Sequence, residues 1–234
     1  MKRLIALIIL ILTLTMGCSI GGPSYVVGYV NDMPPYIYND GNNYQGMLVE
    51  LLDNMAKLEG FNYKIKKIDS NNIDDELDKK NIDILLFVNG HENKINESSE
   101  YSDEYISIAS LDNNNDIKDI KSAKVGYLQG SNSINYIQSI RGEYGLAVLK
   151  YNSIEKLYDA LKSKDIDYII EDTYMLKYLQ SYESDLLIGH TEKTGNLMKI
   201  KINKKSDDAL KHINKGIVDM INDGSYNNII SKYR

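Results

Sequence analysis

The residue types that most often carry catalysis are sparse in this chain, and their spacing does not assemble a reaction centre. His91, His190 and His212 are scattered, without the companion Cys or His at ligand spacing that a metal site requires. Cys18 is the single cysteine, so no intrachain disulfide can form. There is no glycine-rich phosphate loop, Gly-x-Ser-x-Gly elbow or His-Glu-x-x-His. Glu92 and Glu97 remain as acid–base candidates, in a stretch that reads equally well as a solvated loop. No metal and no cofactor is expected. What the chain does supply is polar and aromatic residues just beyond apolar runs: Asn31 to Tyr38, Phe87 to Asn93, Gln129 to Ser133, and Glu171-Asp172. In open α/β sheets ligands sit beyond the carboxyl ends of strands. These four clusters therefore favour non-covalent capture of a small molecule over turnover.

The elements that position them occur twice. Val27-Gly28-Tyr29-Val30 returns as Val125-Gly126-Tyr127-Leu128, and Leu77, Lys80, Ile82-Asp83 and Leu85 return as Leu161, Lys164, Ile166-Asp167 and Ile169. In the first copy, strands are predicted over 25–30, 63–68 and 82–88. Helices are predicted over 47–58, with Gly60 as the C-cap, and over 73–80. In the second copy, strands fall at 124–128, 147–151 and 166–170. Helices fall at 132–140, 153–162 and 174–182, and Asn152 with Glu155 offers the middle one an N-terminal cap. Alternating strands and helices imply an α/β layer with parallel pairing. A further strand at 105–111, one at 197–202, and helices at 206–221 and 225–233 complete the chain. A C-terminal stretch that returns to the first unit makes two strands cross between units, near 106–113 and 190–197. Paired crossings make a hinge, and the crevice between two similar units is the natural ligand site.

Composition narrows the partners. The formal charge is −6; removing residues 1–17, with Lys2 and Arg3, leaves 25 basic against 33 acidic side chains, a charge of −8. No basic stripe is available to displace counterions, which excludes a nucleic-acid partner. Lys2-Arg3, the apolar run Leu4 to Leu14 and then Gly17-Cys18 describe a secretory signal, too short to span a membrane comfortably. Leu14-Thr15-Met16-Gly17-Cys18 resembles the lipobox of bacterial lipoproteins, with Thr15 where leucine is usual. The expected organisation is a signal peptide at 1–17 and a lipidated tether at 18–24. The first lobe then takes 25–108 with 195–234, and the second takes 112–192. An uncleaved anchor or a secreted form is the alternative.

Over Tyr25 to Arg234 the chain resembles the family 3 extracellular solute-binding proteins. Pro34-Pro35-Tyr36 is similar to their Tyr-Pro-Pro-Phe turn, and Gly46 to Leu51 to their Gly-Phe-Asp-Val-Asp-Leu helix start. Tyr101 to Tyr105 is similar to Phe-Ser-x-Pro-Tyr, Val125 to Ser131 to Val-Gly-Val-Leu-Gln-Gly-Thr, and Asp167 to Asp172 to Asp-Ala-Val-Val-x-Asp. Asp223 to Tyr226 matches the closing Asp-Gly-Thr-Tyr. The resemblance implies a two-lobed type II periplasmic-binding-protein fold (α/β, with two interlobe crossing strands). It also implies delivery of a small-molecule ligand to an ABC transporter permease by a monomeric, lipid-anchored protein on the extracytoplasmic face of the cell membrane. It implies no enzyme; a ligand-sensing or partner-binding module, or a dehydratase-like enzyme, is the alternative on this fold.

By the same resemblance Asp172 stands where the family places a carboxylate for the ligand's ammonium, and Gly130-Ser131 where backbone N–H groups and a hydroxyl meet anionic ligand atoms. Asp172 reads equally as the N-cap of the next helix. The first lobe departs from the family. The position of its carboxylate-clamping arginine falls on Ile95, or on Asn93 in a shifted alignment, and no arginine lies between Arg3 and Arg141. Family serines become Phe87, Val88 and Gly90, an aspartate becomes Val30, and a stacking aromatic becomes Met33. The expected ligand is therefore cationic, amphipathic or amino-acid-like. Its positive end lies near Asp172 and its body near Met33, Tyr36, Tyr38, Phe87, Asn89 and Gly90.

Overall fold

The structure, a computed structural model, describes residues 21–41, 43–88 and 90–233. The expected signal peptide, Cys18 and Asn89 lie outside the described residues. In chain order the elements are β1 (Ser24–Tyr29), β2 (Tyr38–Asn39), β3 (Tyr44–Gln45), α1 (Met47–Glu59), β4 (Asn62–Lys67), α2 (Ile73–Asp78), β5 (Ile84–Leu86), β6 (Ile95–Glu97) and β7 (Ser102–Ser110). There follow β8 (Lys124–Leu128), α3 (Ser133–Tyr144), β9 (Ala147–Tyr151), α4 (Ile154–Lys162), β10 (Tyr168–Asp172) and α5 (Thr173–Tyr182). The last are β11 (Leu187–Met198), β12 (Lys201–Asn203), α6 (Asp207–Asp223) and α7 (Ser225–Ile230).

Two five-stranded sheets result, ordered β4-β1-β5-β12-β6 and β11-β7-β10-β8-β9. In each, four strands run one way and one runs against them: β12 between β5 and β6, and β7 between β10 and β11, each making two antiparallel pairings. The parallel pairing expected from the alternating elements thus covers only part of each sheet. The chain changes sheet between Glu97 and Ser102 on the way out and between Met198 and Lys201 on the way back. These two passages bond to each other, Ser98 N–H to Ile200 O at 2.9 Å and Tyr101 N–H to Met198 O at 3.0 Å.

The repeat in the sequence has a physical cause. Gly28 lies under Ile82 and Gly126 under Ile166, so close that a Cβ would sit 2.9 Å and 2.5 Å from the isoleucine Cδ1. The aspartate after each isoleucine accepts a hydrogen bond from the first strand of its lobe, Asp83 from Val26 N–H at 2.9 Å and Asp167 from Lys124 N–H at 2.8 Å. Lys80 and Lys164, both at positive φ, turn the chain out of the preceding helix. Elsewhere, α1 buries Met47, Leu48, Leu51, Leu52 and Met55 and ends at Gly60 in the left-handed conformation. It packs on α6, where Gly216 leaves room for Met55. The cap of α4 is Ser153, whose Oγ accepts from Lys156 N–H at 3.3 Å. Asn152, the expected cap, lies one residue too early, since it is Ser153 that has the extended backbone a cap requires.

The apolar core does not divide between the lobes. Each sheet has its own cluster on one face, but the largest cluster runs from α1 and α6 through Met33 and Tyr36 to α4 and α5. The crevice is therefore filled at its centre by side chains.

Candidate functional site

Asp172 ends β10 and caps α5. Its Oδ1 accepts from Tyr174 N–H at 2.8 Å and Met175 N–H at 3.2 Å. Its Oδ2 is buried and has no hydrogen-bond partner among the described residues. Both readings offered by the sequence therefore apply to one side chain, with one oxygen for the helix and one free. Burial pushes the carboxyl up to about 7. The Tyr36 hydroxyl alongside partly offsets this, though its geometry falls short of a hydrogen bond to Oδ2, and the charge of Glu171 adds to the rise. A carboxylate stripped of water without a compensating cation is the costly arrangement that a positively charged ligand relieves.

Tyr36 is fully buried beside it. Its ring centroid lies 5.0 Å from that of Phe87 and 6.2 Å from that of Tyr174, and its hydroxyl faces Met198 Sδ at 3.8 Å. Burial and the charge of Asp172 raise the pKa of both Tyr36 and Tyr101. Asp172 is thus ringed by Tyr36, Tyr101 and Tyr174, and aromatic faces attract cations.

The lobes touch directly. Asn31 Nδ2 donates to Gln129 O at 3.1 Å. Gly130, at φ 96°, approaches the Phe87 carbonyl so closely that a Cβ would lie 2.7 Å from it. Phe87 itself has φ 50°. Ser131 directs its hydroxyl to Glu171 Oε2 at 2.7 Å. Glu171 also accepts from Leu128 N–H at 2.7 Å and Asp172 N–H at 2.9 Å, so this buried carboxylate serves the loop before α3. Burial raises its pKa and these bonds pull it down.

Of the expected site residues, Tyr36, Phe87 and Asp172 converge, with Gly130 and Ser131 at their edge, and Met33 is buried in the same core cluster as Tyr36. Tyr38 stands apart, lining a cavity of about 520 Å³ with Asp32, Lys67, Ser153 and Tyr178. Gly90 lines another of about 570 Å³ with Glu97, Glu104, Asn132 and Lys201. Val88 is core, in the cluster with Ile73 and Ile82. Beside the second of these, sharing Asn132 and Lys201 with it, a void of only about 40 Å³ touches Phe87, Tyr101 and Met198. Tyr101 and Tyr174 are not among the expected site residues, although Tyr101 opens one of the quoted motifs and Tyr174 follows Asp172 by two positions. Lys201 and Met198 lie in a return strand that gives no such signal. Glu92 lines the larger of these two cavities, at some distance from Asp172. Among the described residues no group of His, Cys, Asp and Glu could hold a metal ion. No described helix is long and apolar enough to cross a membrane.

Comparison with known proteins now bears on this geometry. Arginine-binding extracellular protein ArtP of Bacillus subtilis (strain 168) is 25% identical over 230 residues, covering 93% of this chain and 88% of the relative. An arginine periplasmic binding protein from Legionella pneumophila superposes with a TM-score of 0.79 at 16% identity, covering 91% of this chain and 100% of that one. An ancestral arginine-binding protein bound to arginine gives 0.76 at 24% identity, covering 90% and 97%. The architecture is thus the two-lobed α/β fold of type II periplasmic binding proteins. These relatives are binding proteins, not enzymes. The family model for bacterial extracellular solute-binding proteins, family 3, matches residues 25–234, and the chain belongs to that family.

Proposed function

We propose that this protein captures a small solute with a cationic or amino-acid-like group between its lobes and hands it to the permease of an ABC importer. The observation that carries the reading is the buried, unpartnered Oδ2 of Asp172 inside a ring of tyrosines. An ammonium or guanidinium placed there gains a charge-assisted hydrogen bond of about 1.5–3 kcal/mol and relieves the cost of burying the carboxylate. Relatives named for arginine support a solute of this class. The pose differs from a guanidinium-clamped one, because no arginine precedes Arg141 after Arg3. Of the residues expected to hold the ligand, the proposed set keeps Tyr36, Phe87 and Asp172, with Met33 and Gly130 beside them. The crevice is filled at its centre by Met33, Tyr36 and their neighbours, so binding requires the two lobes to separate about the paired passages at 98–101 and 198–200. Cys18, acylated after removal of residues 1–17, holds the protein at the extracytoplasmic face of the membrane as a monomer.

Calorimetry of ligand-stripped protein with L-arginine, other L-amino acids and their decarboxylated amines tests the reading. Binding of a cationic member that Asp172→Asn abolishes is the expected result. Silence across the whole panel, or affinity indifferent to that substitution, refutes it.

A further inference from the structure

A cavity of about 640 Å³ lies at the start of α5, and no residue expected to hold the solute lines it. Its floor is β7, where strand alternation puts Asp103, Tyr105 and Ser107 on one face, with Thr191 of β11 opposite Ser107. One wall is the first turn of α5, through Tyr174 and Lys177, and Tyr226 of α7 comes across from the first lobe. With Tyr101 beside them, four tyrosines border the space. The volume is that of a small-molecule site, about 300–1,000 Å³, and aromatic walls with few polar groups are the usual lining of one. Most polar groups here are already committed. Asp103 is paired with Lys193 at 2.8 Å. The Ser107 hydroxyl bonds Thr173 Oγ1 at 2.8 Å and Thr191 Oγ1 at 2.7 Å, and Thr173 Oγ1 reaches the Tyr105 carbonyl at 3.1 Å. Lys177 is the exception. It is exposed, it lies one turn beyond Thr173 on the same face of α5, and it has neither an ion-pair nor a hydrogen-bond partner among the described residues. The cavity thus offers aromatic surface and one uncommitted positive charge. A sugar also stacks on tyrosine, but its hydroxyls need several free hydrogen-bonding groups, and here the serine and threonine hydroxyls are taken up by one another.

We propose that this cavity is a second ligand site, for a planar aromatic carboxylate whose rings lie against the tyrosines and whose carboxylate meets Lys177. The tyrosines supply offset or edge-on ring contacts, and the ammonium supplies a charge-assisted hydrogen bond. Tyr226 belongs to the first lobe and Lys177 to the second, so a molecule seated there touches both lobes without using the solute's residues. The site goes beyond the reading of Asp172 and does not rest on it.

The probe is 2-naphthoate, compared with its neutral amide, 2-naphthamide, by equilibrium dialysis against wild-type protein, Lys177→Met, Lys177→Arg and Tyr226→Ala. In the wild type the acid binds saturably, one molecule per chain, and about fivefold more tightly than the amide. Lys177→Met brings the acid down to the amide's affinity and leaves the amide within twofold, while Lys177→Arg keeps the preference. Tyr226→Ala weakens acid and amide alike, by about fivefold. Lys177 is on the surface, so Lys177→Met decides the matter alone where Tyr226→Ala does not fold. Absence of saturable binding, an acid no tighter than its amide, or indifference to either Lys177→Met or a folded Tyr226→Ala overturns the assignment. Loss of acid binding in Asp172→Asn overturns it too, because it puts the probe in the crevice.

Discussion

Replacing Asp172 by asparagine separates the two duties of this side chain. Asparagine is as good an N-cap as aspartate, so the bonds from Tyr174 and Met175 to Oδ1 are retained. What disappears is a buried charge. The carboxyl has a pKa of about 7 against an ordinary 3.8, a rise of roughly 3 units, or about 4 kcal/mol as an upper figure for the ionised form. The sign follows from the folded pKa lying above the unfolded one. The protonated side chain is favoured in the native state, so its contribution is fully present below about pH 4 and is lost as pH rises through about 7. Asparagine does not titrate. The variant and the wild type should therefore be similar near pH 4 to 5 and diverge as pH rises, with the variant more stable at pH 8. We expect about 2 kcal/mol, since the new amide N–H groups need acceptors in a site that offers few. Urea unfolding at pH 5 and pH 8, on protein refolded to remove any ligand, measures this directly. Asp172→Ala, which loses the cap as well, should be about 1 kcal/mol less stable than the asparagine variant at both pH values. An asparagine variant that is less stable than wild type at pH 8, or one whose pH profile runs parallel to the wild type, would refute the claim of an uncompensated charge.

Other outcomes follow from the same geometry. Affinity for a cationic solute should fall as pH drops below about 7, because binding requires Asp172 to be ionised; titration calorimetry in buffers of different ionisation heat should detect proton release on binding. Tyr36→Phe removes the hydroxyl that holds the Asp172 carboxyl down, so the midpoint of that binding profile should move to higher pH. Gly130→Ala places a methyl 2.7 Å from the Phe87 carbonyl at a positive φ; small-angle scattering of the ligand-free variant should show a larger radius of gyration, and an unchanged one would argue against the interlobe contact. Asp83→Ala strands Val26 N–H and the Ser206 hydroxyl and should cost about 2–4 kcal/mol in chemical denaturation, two broken bonds at roughly 1–2 kcal/mol each.

The sequence discloses those parts of the molecule that depend on neighbours along the chain. The paired glycines and Ile-Asp steps are visible because each lobe solves the same close-packing problem with the same residues. Strands β8 and β9 and helix α1 follow from local apolar periodicity. Asp172 is visible as a helix cap from its neighbours and as a ligand residue only through the resemblance of Asp167 to Asp172 to the family's Asp-Ala-Val-Val-x-Asp. Strands are foreseen at 105–111 and 197–202, where β7 and β12 lie, but their antiparallel insertion is not, since it depends on where the chain crosses. Tyr101, Tyr174 and Lys201 meet the crevice only through packing between distant segments. Ser131 shows the opposite failure: its position before a helix suggests a ligand, but its hydroxyl is drawn to Glu171, 40 residues away.

The two passages between the sheets are laced together by backbone bonds from Ser98 N–H to Ile200 O and from Tyr101 N–H to Met198 O, and by Ile200 N–H donating to Ser98 Oγ. Such a ribbon twists far more readily than its strands slide past each other, so the motion left to the lobes is close to rotation about one line. On the proposed function, grip strength at the crevice would be translated into a single angle, which a membrane partner resting on both lobes would gauge instead of inspecting the cargo. A solute that seats on one lobe but leaves the angle wide would occupy the carrier without being passed on, and so act as a competitive brake on uptake.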